Sequence, residues 1–200
     1  MGTRIRLCGR LEVELDGRRV ERRLPGRQGP LVFALLLLNR DRPVARDELI
    51  GALWPGAPPA DPDDALSAVL SKVRQAVGRE TLTGRRELTL TLPADAEVDF
   101  EQALAVSERA PSWPLAQAAV AGGDFPAAWE AGSAVLEIAG RGFLVGLDAP
   151  WVEDRRRELE ELRLRALEAV AEAGVELGGP RRQLDGCLTH CRRVRWPVQA

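Results

Sequence analysis

The stretch Asp61-Pro-Asp-Asp-Ala-Leu-Ser-Ala-Val-Leu-Ser-Lys-Val-Arg-Gln-Ala-Val-Gly78 contains the signals for both ends of a helix. Asp61 can accept a hydrogen bond from a free backbone N–H at the helix start, and proline suits the first helical position. Gly78 suits the helix end. Apolar residues recur at helical spacing and predict one buried face: Leu66, Val69, Leu70, Val73 and Val77. The stretch therefore predicts a helix over 61–78, with Leu66, Leu70 and Val73 buried.

The opposite face of this helix is polar. Ser71, Lys72 and Gln75 point outward, with Ser67 and Arg74 beside them. Serine and glutamine can hydrogen-bond to base edges, whereas lysine and arginine contact guanine or phosphate. The alternative is an ordinary solvated helix face, and the carboxylates of Asp63 and Asp64 favour it because they repel phosphates.

The flanking sequence predicts a small sheet and two further helices before this one. Alternating apolar residues over 5–15, a turn at Asp16-Gly17 and a returning strand over 18–24 predict a hairpin. The apolar run 31–38 and the segment 46–54 predict the two helices. A second hairpin over 81–92 carries Gly84, Arg85 and Arg86 at its tip, where the arginines can contact phosphates or the minor groove. An ordinary charged turn is the alternative there.

From Val98 onward the sequence predicts helices, over 99–110, 114–121, 125–139 and 151–177, with a loop over 140–150. Small residues at the expected contacts resemble tetratricopeptide-type packing, with Trp113, Trp129 and Trp151 in the core of this part. The fold class is therefore an α+β N-terminal winged helix-turn-helix followed by an all-α tetratricopeptide-like helical domain. We expect the first domain over 1–96, the second over 97–179, and an irregular tail over 180–200.

Composition and charge exclude several classes of function. Residues 1–92 carry 16 basic and 12 acidic groups, whereas residues 93–180 carry 7 and 17. The only histidine is His190, and no phosphate-binding loop is present, so we expect no enzyme and no cofactor. Cys187, His190 and Cys191 give three metal ligands where a structural zinc site needs four, so we expect no metal. No signal peptide or membrane span is expected, which predicts a cytoplasmic protein.

Two motifs resemble a known family. The segment Asn39-Arg-Asp-Arg-Pro-Val-Ala-Arg-Asp-Glu-Leu-Ile-Gly-Ala-Leu-Trp-Pro55, followed by Ser71-Lys-Val-Arg-Gln-Ala-Val-Gly78, resembles the OmpR-type winged helix of the Streptomyces antibiotic regulatory protein family. The segment Gly140-Arg-Gly-Phe-Leu-Val-Gly-Leu-Asp-Ala-Pro-Trp151 is similar to the bacterial transcriptional activator domain that follows it. That domain normally continues with further helical repeats, so we expect it to be truncated here.

The resemblance implies a DNA-binding transcription regulator, usually an activator. It implies that double-stranded DNA is bound in its major groove by the third helix. The exposed face of that helix and the hairpin tip then supply the expected DNA contacts: Ser67, Ser71, Lys72, Arg74, Gln75, Arg85 and Arg86. RNA polymerase and a second copy of the chain on direct repeats are the other implied partners. The alternative is a winged helix that no longer binds DNA and serves as a protein-interaction module of a signalling assembly.

Overall fold

The computed structural model describes residues 2–108 and 124–177. Of these, residues 2–99 and 143–155 form one compact unit, and residues 100–108, 124–142 and 156–177 form another. The predicted helix over 114–121, Trp113, and the tail with Cys187, His190 and Cys191 lie outside the described residues. Within the described residues, no helix is both long enough and apolar enough to cross a membrane.

A four-stranded sheet opens the first unit. Strand β1 (Arg4–Arg6) pairs antiparallel with β2 (Glu12–Leu15), and β2 pairs with β3 (Arg18–Arg19). The turn between β2 and β3 is the predicted one, since Asp16 and Gly17 both have positive φ, at 49° and 77°. The prediction of a returning strand over 18–24 is wrong beyond Arg19. A 3-10 helix (Glu21–Arg23) follows, which brings Val20 and Leu24 into the core.

Three helices form the centre of this unit: α1 (Gln28–Leu38), α2 (Arg46–Leu53) and α3 (Pro62–Val77). The Asp61 carboxylate accepts a hydrogen bond from the backbone N–H of Asp64 at 2.9 Å, so the predicted cap of α3 is confirmed. Helix α2 starts after Ala45, which supplies no side-chain cap. The helices bury their apolar stripes against one another.

A three-stranded sheet is built around the hairpin that follows α3. The predicted hairpin is present as β5 (Leu82–Thr83) and β6 (Glu87–Leu90), and Leu82, Leu88 and Leu90 are buried. A short strand that the sequence did not indicate, β4 (Val44–Ala45), pairs with the other side of β6. Through β4, the hairpin is joined to the residue that begins α2.

The first unit extends past the hairpin. Strand β7 (Glu97–Val98) pairs parallel with β1, so the prediction of helix from Val98 onward is wrong for that residue. Helix α4 (Asp99–Glu108) starts next, and the Asp99 carboxylate accepts hydrogen bonds from the backbone N–H groups of Leu7 and Cys8 at 2.7 and 3.1 Å. The pairing of β7 with β1 is only two residues long, which is too short to leave a periodic signal in the sequence.

Residues 143–155 also belong to this unit, although the sequence placed them in the helical domain. The backbone N–H groups of Leu144 and Val145 donate to the carbonyls of Leu7 and Gly9, each at 2.8 Å. Phe143 is buried, and its ring meets that of Trp151 edge to face at 6.5 Å. Trp151 therefore contributes to the first unit, not to the helical core as predicted. The domain boundaries themselves stay a prediction.

The second unit is helical in its described part. It contains α5 (Phe125–Ala139) and most of α6 (Pro150–Glu176), together with α4 after its first residue. Ala128 of α5 packs with Ala169 and Ala173 of α6, and Trp129 packs against this cluster. A Cβ at Gly132 would lie 2.5 Å from Val170 Cγ2, so the two helices touch there through a residue without a side chain. The expectation of small residues at helix contacts is confirmed.

Candidate nucleic-acid interface

Helix α3 has an uncovered polar face. Ser67, Ser71, Lys72 and Gln75 are all exposed, while Leu66, Leu70 and Val73 on the opposite side are at most 1% exposed. Residues four apart lie on one side of a helix, so Ser67, Ser71 and Gln75 form a line along it. We call these four residues the polar face. The predicted helix and its predicted orientation are both confirmed.

The hairpin of β5 and β6, called the wing here, ends in two exposed arginines, Arg85 and Arg86. The tip turns tightly at Gly84, whose φ is +89°, and a Cβ there would collide with the carbonyl oxygen of Glu87. Glycine is therefore needed for this turn. The structure places both predicted wing arginines at the tip, with their side chains in solvent.

Arg74 differs from the other predicted contact residues, because it is half-buried and faces the wing. Its Nε donates to the carbonyl of Leu82 at 3.2 Å, and its Nη2 donates to the carbonyl of Gly84 at 2.6 Å. Burial, and to a lesser extent the nearby Arg46 guanidinium, lower the pKa of Arg74 from its ordinary value. An arginine nevertheless stays charged in a protein. The side chain thus joins α3 to the wing.

Arg46, which the sequence did not indicate as a site residue, contacts Ser67 at the N-terminal end of the polar face. Its Nε forms an ion pair with Asp63 Oδ1 at 2.9 Å, and its Nη2 donates to the Asp63 carbonyl and to Ser67 Oγ at 2.7 and 2.9 Å. Its backbone N–H donates to the carbonyl of Arg86 at 3.2 Å. Only 21% of the side chain is exposed. No local pattern marks this residue, because its partners are 17 to 40 residues away.

The negative charge at the start of α3 is therefore smaller than the sequence suggests. The sequence alone predicts that the carboxylates of Asp63 and Asp64 disfavour DNA binding, but Arg46 neutralises Asp63 at close range. At the other end of α3, Arg23 of the 3-10 helix donates to the backbone carbonyl of Gln75 at 2.9 Å and is exposed. This arginine is a second residue that the sequence did not reveal. It adds a cation beside the polar face.

Comparisons with known proteins support the same architecture. No family model matches the chain. The regulatory protein AfsR of Streptomyces griseus is 28% identical over 157 residues, which cover 74% of this chain and 14% of AfsR. The transcriptional regulatory protein EmbR of Mycobacterium tuberculosis is 33% identical over 87 residues, which cover 44% of this chain and 22% of EmbR. The chain therefore matches only a minor part of each curated relative's length.

A solved structure of Mycobacterium tuberculosis EmbR, in complex with a low-affinity phosphopeptide, superposes with a TM-score of 0.68 at 27% identity. The match covers 88% of this chain and 46% of that chain. The fold class expected from the sequence, a winged helix followed by a helical domain, is thereby confirmed. The resemblance is supported in the same terms: this chain is similar in sequence to the regulators AfsR and EmbR, and similar in fold to EmbR.

Proposed function

We propose that this chain is the DNA-binding part of a transcription regulator. The observation that supports the proposal is the exposed polar face of α3, flanked by a wing with two exposed arginines at its tip. A helix with this exposure fits the major groove of B-DNA, which is wide enough to admit one helix. Ser71 and Gln75 read base edges, Lys72 and Ser67 contact bases or phosphates beside them, and Arg85 and Arg86 hold the backbone.

The test starts from a pool of random DNA duplexes, from which the full chain selects bound sequences. Binding to a selected duplex is then measured by fluorescence anisotropy at two salt concentrations. Ser71→Ala and Gln75→Ala should each cost about 1–3 kcal/mol and relax the preference at one base pair. Arg85→Ala with Arg86→Ala should weaken all duplexes alike and reduce the magnitude of the salt slope by about two.

A matched control lies in the first hairpin. Gly17-Arg18-Arg19 repeats the Gly-Arg-Arg arrangement of the wing tip, but on the four-stranded sheet. Arg18→Ala with Arg19→Ala removes the same charge and should leave binding nearly unchanged. If this control pair weakens binding as much as the wing pair, the interaction is a diffuse charge effect and the assigned interface is wrong.

The rival function is a protein-interaction module without DNA binding, and the acidic balance of residues 93–180 favours it. It predicts no salt-dependent binding to any selected duplex and no effect of the wing or polar-face variants. Selection that enriches no sequence would overturn our proposal in favour of this rival.

We extend the proposal to the partners that the family resemblance implies. The chain acts in the cytoplasm as an activator, two copies bind to direct repeats, and the acidic helical unit contacts RNA polymerase. Sedimentation of the chain with duplexes of one and two repeats measures how many copies bind. In vitro transcription with purified polymerase measures activation. One copy on two repeats, or no activation, would contradict the corresponding part.

A further inference from the structure

Arg74 has little freedom to meet a ligand, unlike the exposed cations Lys72, Arg85 and Arg86 around the polar face. The nitrogen atoms Nε and Nη2 are both engaged with wing carbonyls, and the side chain is half-buried. Lys72, two residues earlier, is exposed on the polar face. The two cations are thus neighbours in sequence but lie in different surroundings.

The two carbonyls that Arg74 holds lie at different points of the wing. Leu82 belongs to β5, next to the start of the hairpin, whereas Gly84 begins the tip. A planar guanidinium can serve two acceptors at fixed angles, which a lysine ammonium cannot do in the same way. The contact therefore restrains both the position and the direction of the hairpin relative to α3.

On the other side of the hairpin, the backbone N–H of Arg46 donates to the carbonyl of Arg86. The tip residues 84–86 are thus held from two sides, by the side chain of Arg74 and by the main chain of α2. Arg74 is the one contact of this pair that a substitution can remove without touching a backbone group.

We propose that Arg74 is a positioning residue for the wing and not a DNA contact: it holds Arg85 and Arg86 at the spacing from α3 at which both can meet the duplex. The DNA-binding part of this inference rests on the function proposed above. Its structural part, the ordering of the wing by Arg74, can be measured without DNA.

The first measurement is hydrogen exchange of the full chain without DNA. Arg74→Ala and Arg74→Lys should both speed exchange at the amides of 82–90 and of Arg46, by about tenfold, because the first loses both charged hydrogen bonds to the wing backbone and the second loses at least one. Amides of α1 should be unchanged, which excludes global destabilisation. Lys72→Ala is the matched control and should leave the wing amides unchanged. Unaltered wing exchange in both Arg74 variants would overturn the proposal.

The second measurement is a double-mutant cycle in DNA binding. If Arg74 acts through the wing, Arg74→Ala should weaken binding in the parent chain but cost less than about twofold when Arg85 and Arg86 are already alanine. Arg74→Lys should behave like Arg74→Ala. Full additivity, or full binding by Arg74→Lys, would show a direct charge contact instead and overturn the inference. If the parent chain binds no duplex, the proposed function fails, while hydrogen exchange still decides whether Arg74 orders the wing.

Discussion

Arg46 and Asp63 form an ion pair of 2.9 Å between the first residue of α2 and the first turn of α3. The pair places a positive charge beside a helix N-terminus that would otherwise present only carboxylates. It also brings Arg46 to Ser67, the first residue of the polar face. The relationship suggests a direct test of how the acidic start of α3 affects binding.

Asp63→Asn removes a negative charge and leaves the Arg46 guanidinium without its counter-ion, while the hydrogen bonds of Arg46 to the carbonyl of residue 63 and to Ser67 Oγ remain. We expect tighter binding to the selected duplex and a steeper salt dependence, because the positive charge of Arg46 is no longer neutralised and can attract phosphates. Asp64→Asn, one residue further, removes the same charge but keeps the Arg46–Asp63 pair. Anisotropy titrations at two salt concentrations compare the two variants. Equal effects would mean that the loss of the Arg46–Asp63 ion pair adds nothing beyond the loss of one negative charge.

The helix caps of the first unit allow a paired test of stability. Ala45 occupies the cap position of α2 with an extended backbone, so Ala45→Ser should add a hydrogen bond and raise the free energy of unfolding by about 1 kcal/mol. Asp61→Ala removes the existing cap of α3 and should lower the free energy of unfolding by about the same amount. Native-state hydrogen exchange of the α1 amides measures both. A gain from Asp61→Ala would contradict the assigned cap.

Gly132 allows close contact between α5 and α6. Gly132→Ala should lower the free energy of unfolding of the second unit by about 1–3 kcal/mol, because the new methyl group collides with Val170. Val170→Ala in the same chain should recover part of the loss. Gly51→Ala is the matched control: this glycine lies inside α2 with open space around it, so the change should stabilise by about 0.5–1 kcal/mol. Hydrogen exchange resolves the two units separately.

The Arg42–Glu48 pair gives stability a dependence on acidity. The hydrogen bond from Arg42 holds the pKa of Glu48 below its ordinary value of 4.5. The contribution of the Arg42–Glu48 pair to the free energy of unfolding is therefore complete above pH 4.5. It is lost as the pH falls through the lower pKa that Glu48 has in the folded state. Glu48→Gln should reduce the urea midpoint slightly at neutral pH and have no effect in strong acid. Glu80→Gln, at an exposed turn, serves as the control. A Glu48→Gln effect that grows on acidification would reverse the assigned sign.

Local signals predicted the parts of the fold that depend on neighbours in sequence. Asp61, Pro62 and the apolar stripe were sufficient to locate α3, and Gly84 with alternating leucines located the wing. The role of Arg74 could not be predicted in this way, because a helical projection gives the direction of a side chain but not what lies next to it. The same holds for Arg46 and for β7, whose partners come from distant parts of the chain.

The return of residues 143–155 to the first unit affects how the chain can be divided. A fragment cut after residue 96 would lose β7 and the Asp99 carboxylate that accepts hydrogen bonds from the backbone of Leu7 and Cys8. It would also lose the buried side chains of Phe143 and Leu144. The backbone carbonyls of Leu7 and Gly9 would lose their donors as well. The smallest part of the chain that keeps this sheet intact is therefore discontinuous in sequence, and truncation at the apparent end of the winged helix would expose the edge of the sheet at β1.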